Sequence, residues 1–192
     1  MKINGPIFNY HQYLVWMASV VNYPSDNSEK AQLYSQYTFL NIQRVKRLNK
    51  TIQIDERFLN IISKRQKWII IAEPWCGDCA QIIPFFGKLS ELHKNTIDLQ
   101  IILRDENPDW ISKYHTNGSW SIPKLIVFDE NDNELFIWGP RPKPAQELFL
   151  NWKNNKSNKS WEQFETDLHT WYANDKTKTL QNEIYELLSS IK

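Results

Sequence analysis

Residues 68–72, Trp-Ile-Ile-Ile-Ala, lead into Trp75-Cys76-Gly77-Asp78-Cys79, and an amphipathic stretch follows. A short, wholly apolar run rich in β-branched residues predicts a strand buried on both faces. Ile82, Phe86, Leu89 and Leu92 then recur at helical spacing on one face. The two cysteines therefore stand where a strand hands over to a helix. A Cys-x-x-Cys pair in that setting is a dithiol redox signature.

The spacing has a chemical reason. Three residues along one helical turn bring both sulfurs to the same side of the chain, within bonding reach. Cys76 falls at the helix N-terminus, where unpaired backbone N–H groups and the helix dipole favour a thiolate. The expectation is an exposed Cys76 with a lowered pKa, acting as the nucleophile. Cys79 is then placed to resolve the mixed disulfide. Asp78 works against this, since a carboxylate near Cys76 opposes the thiolate even while it favours the helix.

Both cysteines of the chain lie in this motif, which leaves none for a structural disulfide or a four-ligand zinc site. That usage fits a reducing compartment, and the expected location is cytoplasmic. His11, His93, His115 and His169 share no metal spacing, so no metal and no cofactor is expected. The net charge of +1 offers no electrostatic case for nucleic acid or for an anionic membrane. Tyr13–Val21 is apolar but too short to span a bilayer, and Tyr10, His11 and Gln12 make it a poor leader. At 192 residues and 41% apolar, the chain can build one domain with additions.

Tyr13, Trp16, Met17, Val20 and Val21 form a helical stripe that Asn22-Tyr23-Pro24-Ser25 breaks. Asp26-x-x-Glu29 reads as a capping box for a second helix, with Leu33, Tyr37 and Leu40 on one side. Its Arg44, Lys46, Arg47 and Lys50 read as a solvated face with cations at a helix C-terminus. Asp55–Lys64 reads as a short helix. Ile97–Leu103 is a second strand, and strand–helix–strand makes a parallel βαβ unit. Leu125–Phe128 and Glu134–Trp138 flank Asn131-Asp132-Asn133 as a hairpin. A proline-rich connector follows, with Pro144 suited to the first turn of a helix over Ala145–Trp152. Asn154–Lys159 reads as a loop. Ser160-x-x-Gln163 caps another helix, and Leu180, Ile184, Leu187 and Ile191 mark the last.

With these elements placed, the chain resembles the thioredoxin family over about residues 52–154. Pro84 sits where the family's active-site helix carries a kinking proline. Asp105-x-Asn107-Pro108 matches a family word after the second strand. Ile122-Pro123 stands at the family's cis-proline, and Gly139 matches a later family glycine. The words Trp-Cys-Gly-Asp-Cys, Arg-Asp-Glu-Asn and Trp-Gly-Pro-Arg-Pro resemble a bacterial thioredoxin-like group with helical extensions at both ends. The implied fold is α/β, a central mixed sheet flanked by helices. Residues 1–51 would form an N-terminal helical extension, 52–154 the thioredoxin-like domain, and 155–192 a C-terminal helical extension packed on the core.

The resemblance implies a cis bond at Pro123 and a substrate strand that pairs with the Ile122 backbone. Trp75 and Trp120 would be apolar walls of the substrate groove. Two departures matter. The family's buried Asp is Ile70 here, and its Lys partner is Ile101. An apolar pair replaces an ionic one, which is self-consistent because a lone buried charge is costly. The proton acceptor for Cys79 then has to come from elsewhere, and Asp78 or Glu73 are the candidates. The implied activity is thiol–disulfide exchange on protein disulfides, serving cell redox homeostasis, with a thioredoxin reductase or a peroxidase as redox partner. The alternatives are a dedicated electron donor to one peroxidase or reductase, and a non-enzymatic adaptor that binds a protein through its added helices.

Overall fold

A computed structural model describes residues 1–22, 28–155 and 159–191. Among them are five strands, β1 (Ile7–Phe8), β2 (Gln66–Ala72), β3 (Ile97–Leu103), β4 (Lys124–Asp129) and β5 (Glu134–Trp138). The helices are α1 (Tyr10–Asn22), α2 (Glu29–Thr51), α3 (Gly77–Leu92), α4 (Pro108–Lys113), α5 (Lys143–Asn154), α6 (Trp161–Asp175) and α7 (Lys178–Ser190). The sheet order is β1-β3-β2-β4-β5. Only β2 and β3 run parallel, and the other neighbours are antiparallel. This is the α/β architecture expected from the sequence, a mixed sheet with helices before, between and after its strands.

The apolar run of β2 occupies the centre of the sheet, and Trp68, Ile70, Ile71 and Ala72 are fully buried. A central strand covered on both faces has no polar side to show, which is why it reads as a continuous run. Ile70 lies beside Ile101 of β3 in register, both fully buried. Phe85 and Phe86 of α3 pack edge-on against Phe58 and Trp68 respectively. Ser160 and Gln163 form the expected capping box.

Three sequence expectations change. Asp55–Lys64 is a single 3₁₀ turn over Glu56–Phe58. His93 Nε2 occupies the Phe58 carbonyl at 2.7 Å, so that oxygen is held by another element rather than by a continuing helix. The stripe on α2 faces outward, with Leu33 and Leu40 about half exposed while Thr38 and Asn41 are fully buried. Buried Asn41 is satisfied because its Nδ2 donates to the Pro74 carbonyl at 2.8 Å. The basic cluster is also not uniformly solvated, since Arg44 is half-buried and its Nη1 donates to Asn41 Oδ1 at 2.7 Å. Two elements went unread, β1 and α4, because two and six residues are too few to carry a periodicity. Pro108 occupies the first turn of α4, where a missing N–H costs nothing. The expected cap at Asp26 lies outside the described residues, as does most of the break at Asn22-Tyr23-Pro24-Ser25. Ser28 caps α2 by accepting the Ala31 N–H.

Candidate active site

Cys76 is the N-cap of α3. Its Sγ accepts the Cys79 N–H at 3.4 Å, and its thiol donates to the Ile122 carbonyl at 3.5 Å. A sulfur in that position takes the place of the usual capping oxygen and answers one of the helix's unpaired N–H groups. Ile122 precedes Pro123, and the bond between them is cis. The structure thus brings Cys76, Ile122 and Pro123 together from α3 and from the turn before β4.

Both cysteines are free thiols. The expected exposure of Cys76 is corrected: the residue is only 9% accessible, and Cys79 is 1% accessible. Cys76 nevertheless opens on a cleft of about 360 Å³ whose walls include Tyr37, Trp75, Trp120, Leu168 and His169. These walls come from α2, from the loop before β4 and from α6, so both terminal extensions frame the dithiol. Burial pushes the Cys79 thiol well up, and the adjoining Cys76 sulfur adds to it. The Glu73 backbone N–H opposes that rise, and the Asp78 charge reinforces it.

Trp75 is wedged rather than free. Tyr34 of α2 stacks on it with centroids 4.6 Å apart, and the Arg104 guanidinium lies 4.8 Å from its ring centroid. Trp120 is 45% exposed at the rim of the cleft, not part of the core. Gly139 explains itself by contact. Its φ is +113°, and a Cβ there would stand 2.4 Å from the Pro123 carbonyl oxygen.

The two acids lie in different surroundings. Glu73, at the end of β2, accepts the Asp105 N–H at 2.9 Å. Burial raises its carboxyl to about 7, which the Asp105 N–H partly offsets. Asp78 is not a solvated first-turn acid. Arg141 meets its Oδ2 at 2.6 Å and the Tyr172 hydroxyl donates to its Oδ1 at 2.7 Å. Burial raises the Asp78 carboxyl, and the Arg141 guanidinium is the main force against that rise.

Several site residues escaped the sequence reading. Arg141 stood in a word of the connector, but nothing local assigned it to Asp78. Tyr172 and His169 lie on one face of α6, three residues apart, and nothing in the sequence around them pointed to the site. His169 Nδ1 accepts from Gln81 Nε2 at 3.0 Å, and burial lowers its imidazole to about 4. Lys124 follows Pro123, is 4% exposed, and donates to Thr116 Oγ1 at 2.6 Å and to the Gly139 carbonyl at 3.0 Å. Among the described residues, no three or more His, Cys, Asp or Glu side chains are grouped to hold a metal ion. No described helix is long and apolar enough to cross a membrane.

A family model described as thioredoxin matches residues 27–159. Among curated proteins, a thioredoxin of Alicyclobacillus acidocaldarius is 32% identical over 76 residues, covering 40% of this chain and 70% of that protein. A thioredoxin of Rhodospirillum rubrum is 33% identical over 69 residues, 36% of this chain and 64% of that protein. A protein disulfide-isomerase of Drosophila melanogaster is 23% identical over 86 residues, and the match spans only 17% of that protein. Among solved structures, a protein of unknown function from Pseudomonas aeruginosa superposes with a TM-score of 0.62 at 15% identity, covering 96% of this chain and 99% of that one. That likeness concerns the fold alone, and it extends across the terminal helices as well as the sheet.

Proposed function

The chain belongs to the thioredoxin family, and from that premise we propose that it is a thiol–disulfide oxidoreductase acting on protein disulfides through Cys76 and Cys79. The observation that carries this reading is the seating of Cys76 Sγ, which caps α3 beneath an open cleft and beside the Ile122 carbonyl. In this reading the Cys76 thiolate attacks one substrate sulfur, forms a mixed disulfide and expels the other substrate sulfur as a thiolate. Cys79 gives up its proton and attacks Cys76 Sγ. The Cys76–Cys79 bond forms, the bond to the substrate breaks, and the substrate leaves with two electrons. In a reducing cytoplasm the protein works as the reductant.

Trp75 and Pro123 border the approach to Cys76, and the Ile122 backbone offers the substrate strand its pairing groups. Glu73, with its carboxyl raised to about 7, takes the proton from Cys79. Asp78 has both oxygens held by Arg141 and Tyr172, and its part is to anchor the cover of the site. A thioredoxin reductase or a peroxidase would be the protein's own redox partner. One observation favours a dedicated donor over a general reductant: α2 and α6 narrow the approach to Cys76.

The experiment is insulin disulfide reduction with dithiothreitol as the electron source, run on the full chain and on Cys76→Ser. Activity that vanishes in the variant supports the reading. Absence of activity with any common reductant, together with no covalent partner trapped by Cys79→Ser, overturns it and leaves the adaptor.

A further inference from the structure

Lys124 is a buried cation held without an anion. It opens β4 and is 4% exposed. Among the described residues, no carboxylate pairs with its ammonium. Lysine is almost never buried unless it is paired, because the charge gives up its water. Burial lowers its pKa to about 8, so at pH 7 the group is still an ammonium. A charge kept in such a place calls for a reason.

Its partners supply one. The ammonium donates to Thr116 Oγ1 at 2.6 Å and to the Gly139 carbonyl at 3.0 Å. Thr116 and Ser119 exchange backbone bonds of 2.9 Å and close a tight turn, whose Asn117 and Gly118 both have positive φ. From that turn the chain runs directly into the cleft, where Ser119, Trp120, Ser121 and Ile122 are consecutive wall residues. Gly139 begins the connector to Arg141, which also lines the cleft and pairs with Asp78. One ammonium therefore ties together two segments that border the dithiol.

The loop buries little of its own. Asn117, Gly118, Ser119 and Trp120 are all exposed. Within it, the Gly118 N–H donates to His115 Nδ1 at 3.0 Å, and Ser121 Oγ donates to Ser119 Oγ at 3.2 Å. A loop with little apolar burial opens at low cost. A bond from an ionised donor, anchored in the sheet, is then a large share of what places it.

Resting on the dithiol reading above, we propose that Lys124 is a positioning residue for the substrate: through Thr116 and Gly139 it fixes the Trp120 wall against the Arg141 connector and sets the width of the approach to Cys76. It acts through the loop, since neither of these bonds is made to a sulfur. With the latch made, the wall stands where it receives the substrate segment. With the latch broken, that placement is one of several, and the apparent affinity falls with its population. The chemical step at Cys76 keeps its rate.

The test is insulin reduction by the full chain at pH 7, with dithiothreitol in excess, the insulin concentration varied and the uncatalysed rate subtracted. Thr116→Val removes the hydroxyl and keeps the shape, while Thr116→Ser keeps an acceptor. We expect KM to rise about fivefold in Thr116→Val, the equivalent of one hydrogen bond, with kcat and the urea midpoint little changed. Thr116→Ser should hold the wild-type KM. Lys124→Met should raise KM at least as far as Thr116→Val, and Trp120→Ala should raise it too. Adding Thr116→Val to Trp120→Ala should change KM by about twofold or less, because the latch acts through that wall. A wild-type KM in both Thr116→Val and Lys124→Met overturns the proposal, as does a loss of kcat and stability with KM unmoved. The full effect of Thr116→Val on the Trp120→Ala background overturns it as well. A wild type that reduces no insulin, and traps no partner as Cys79→Ser, overturns the dithiol reading itself, and the placement role falls with it.

Discussion

Arg141 reaches from the connector after β5 to Asp78, the residue immediately before Cys79, and the two close a buried ion pair at 2.6 Å. Their side chains are 10% and 7% exposed. Tyr172 of α6 holds the other carboxylate oxygen, so a first-turn residue of α3 is bound at once to the connector and to the C-terminal extension. Arg141 is further positioned by the Phe149 ring, 4.5 Å from its guanidinium carbon.

Removing one partner of this pair should cost far more than a surface ion pair would. Arg141→Met leaves Asp78 buried and uncompensated, and the expected loss is about 3–5 kcal/mol of unfolding free energy. Asp78→Asn strands Arg141 in the same way, but Tyr172 keeps a partner. The double variant Asp78→Asn, Arg141→Met should lose much less than the two single losses added together. Urea unfolding of the four proteins checks this, and additive losses in the double variant would contradict it.

Gly77 is expected to accept a methyl group only if the His169 ring shifts. An alanine Cβ there would meet the His169 ring at 3.0 Å. Gly77→Ala should destabilise by about 1–3 kcal/mol, the usual range for overpacking a filled site. Gly77→Ala combined with His169→Ala should lose less than the two single losses added together. Thermal unfolding of the set decides it.

The acid and neutral limbs of the stability profile should be separable by two substitutions. His169 is lowered from 6.5 to about 4, so the unfolded chain binds its proton first. Its contribution is whole above pH 6.5 and is lost as the pH falls toward 4. Glu73 is raised from 4.5 to about 7, so the folded chain binds that proton first. Its contribution is whole below pH 4.5 and is lost as the pH rises through 7. Each shift is worth up to about 3 kcal/mol over its window, and less for half-buried His169. His169→Gln should flatten the loss between pH 6.5 and 4, and Glu73→Gln the loss between 4.5 and 7. Urea midpoints measured across pH 4–8 would show either limb unchanged if these assignments fail.

Gly139→Ala should damage fold and site together. The residue lies at φ +113°, and a Cβ would come within 2.4 Å of the Pro123 backbone oxygen. No side-chain rotation relieves a clash between a Cβ and a carbonyl, so Pro123 or the β4–β5 hairpin has to shift. A loss above about 3 kcal/mol is expected, with insulin reduction falling more than the folded fraction does. Wild-type stability in this variant would show that the approach is not tight.

Gly139 also illustrates what could be read before the fold was known. Its place downstream of Pro123 was visible, but the contact that demands a glycine spans two strands. The same divide runs through α2. Leu33, Tyr37 and Leu40 sit at helical spacing, which indicates a helix but not which face turns inward. Asn41 decides that, because the Pro74 carbonyl needs a donor, and no pattern of hydropathy records such a need.

The one-dimensional order of residues was enough for the central strand, the dithiol at its end and the hairpin. Each follows from near neighbours: an unbroken apolar run, a helix start, a turn. Only the folded chain decided that Asp78 is paired and that Cys76 lies beneath a cleft. Those facts join residues from opposite ends of the sequence, where burial and charge act through space. A carboxylate or a hydroxyl has the same identity in water as in a core, and its chemistry is set by what tertiary packing places against it.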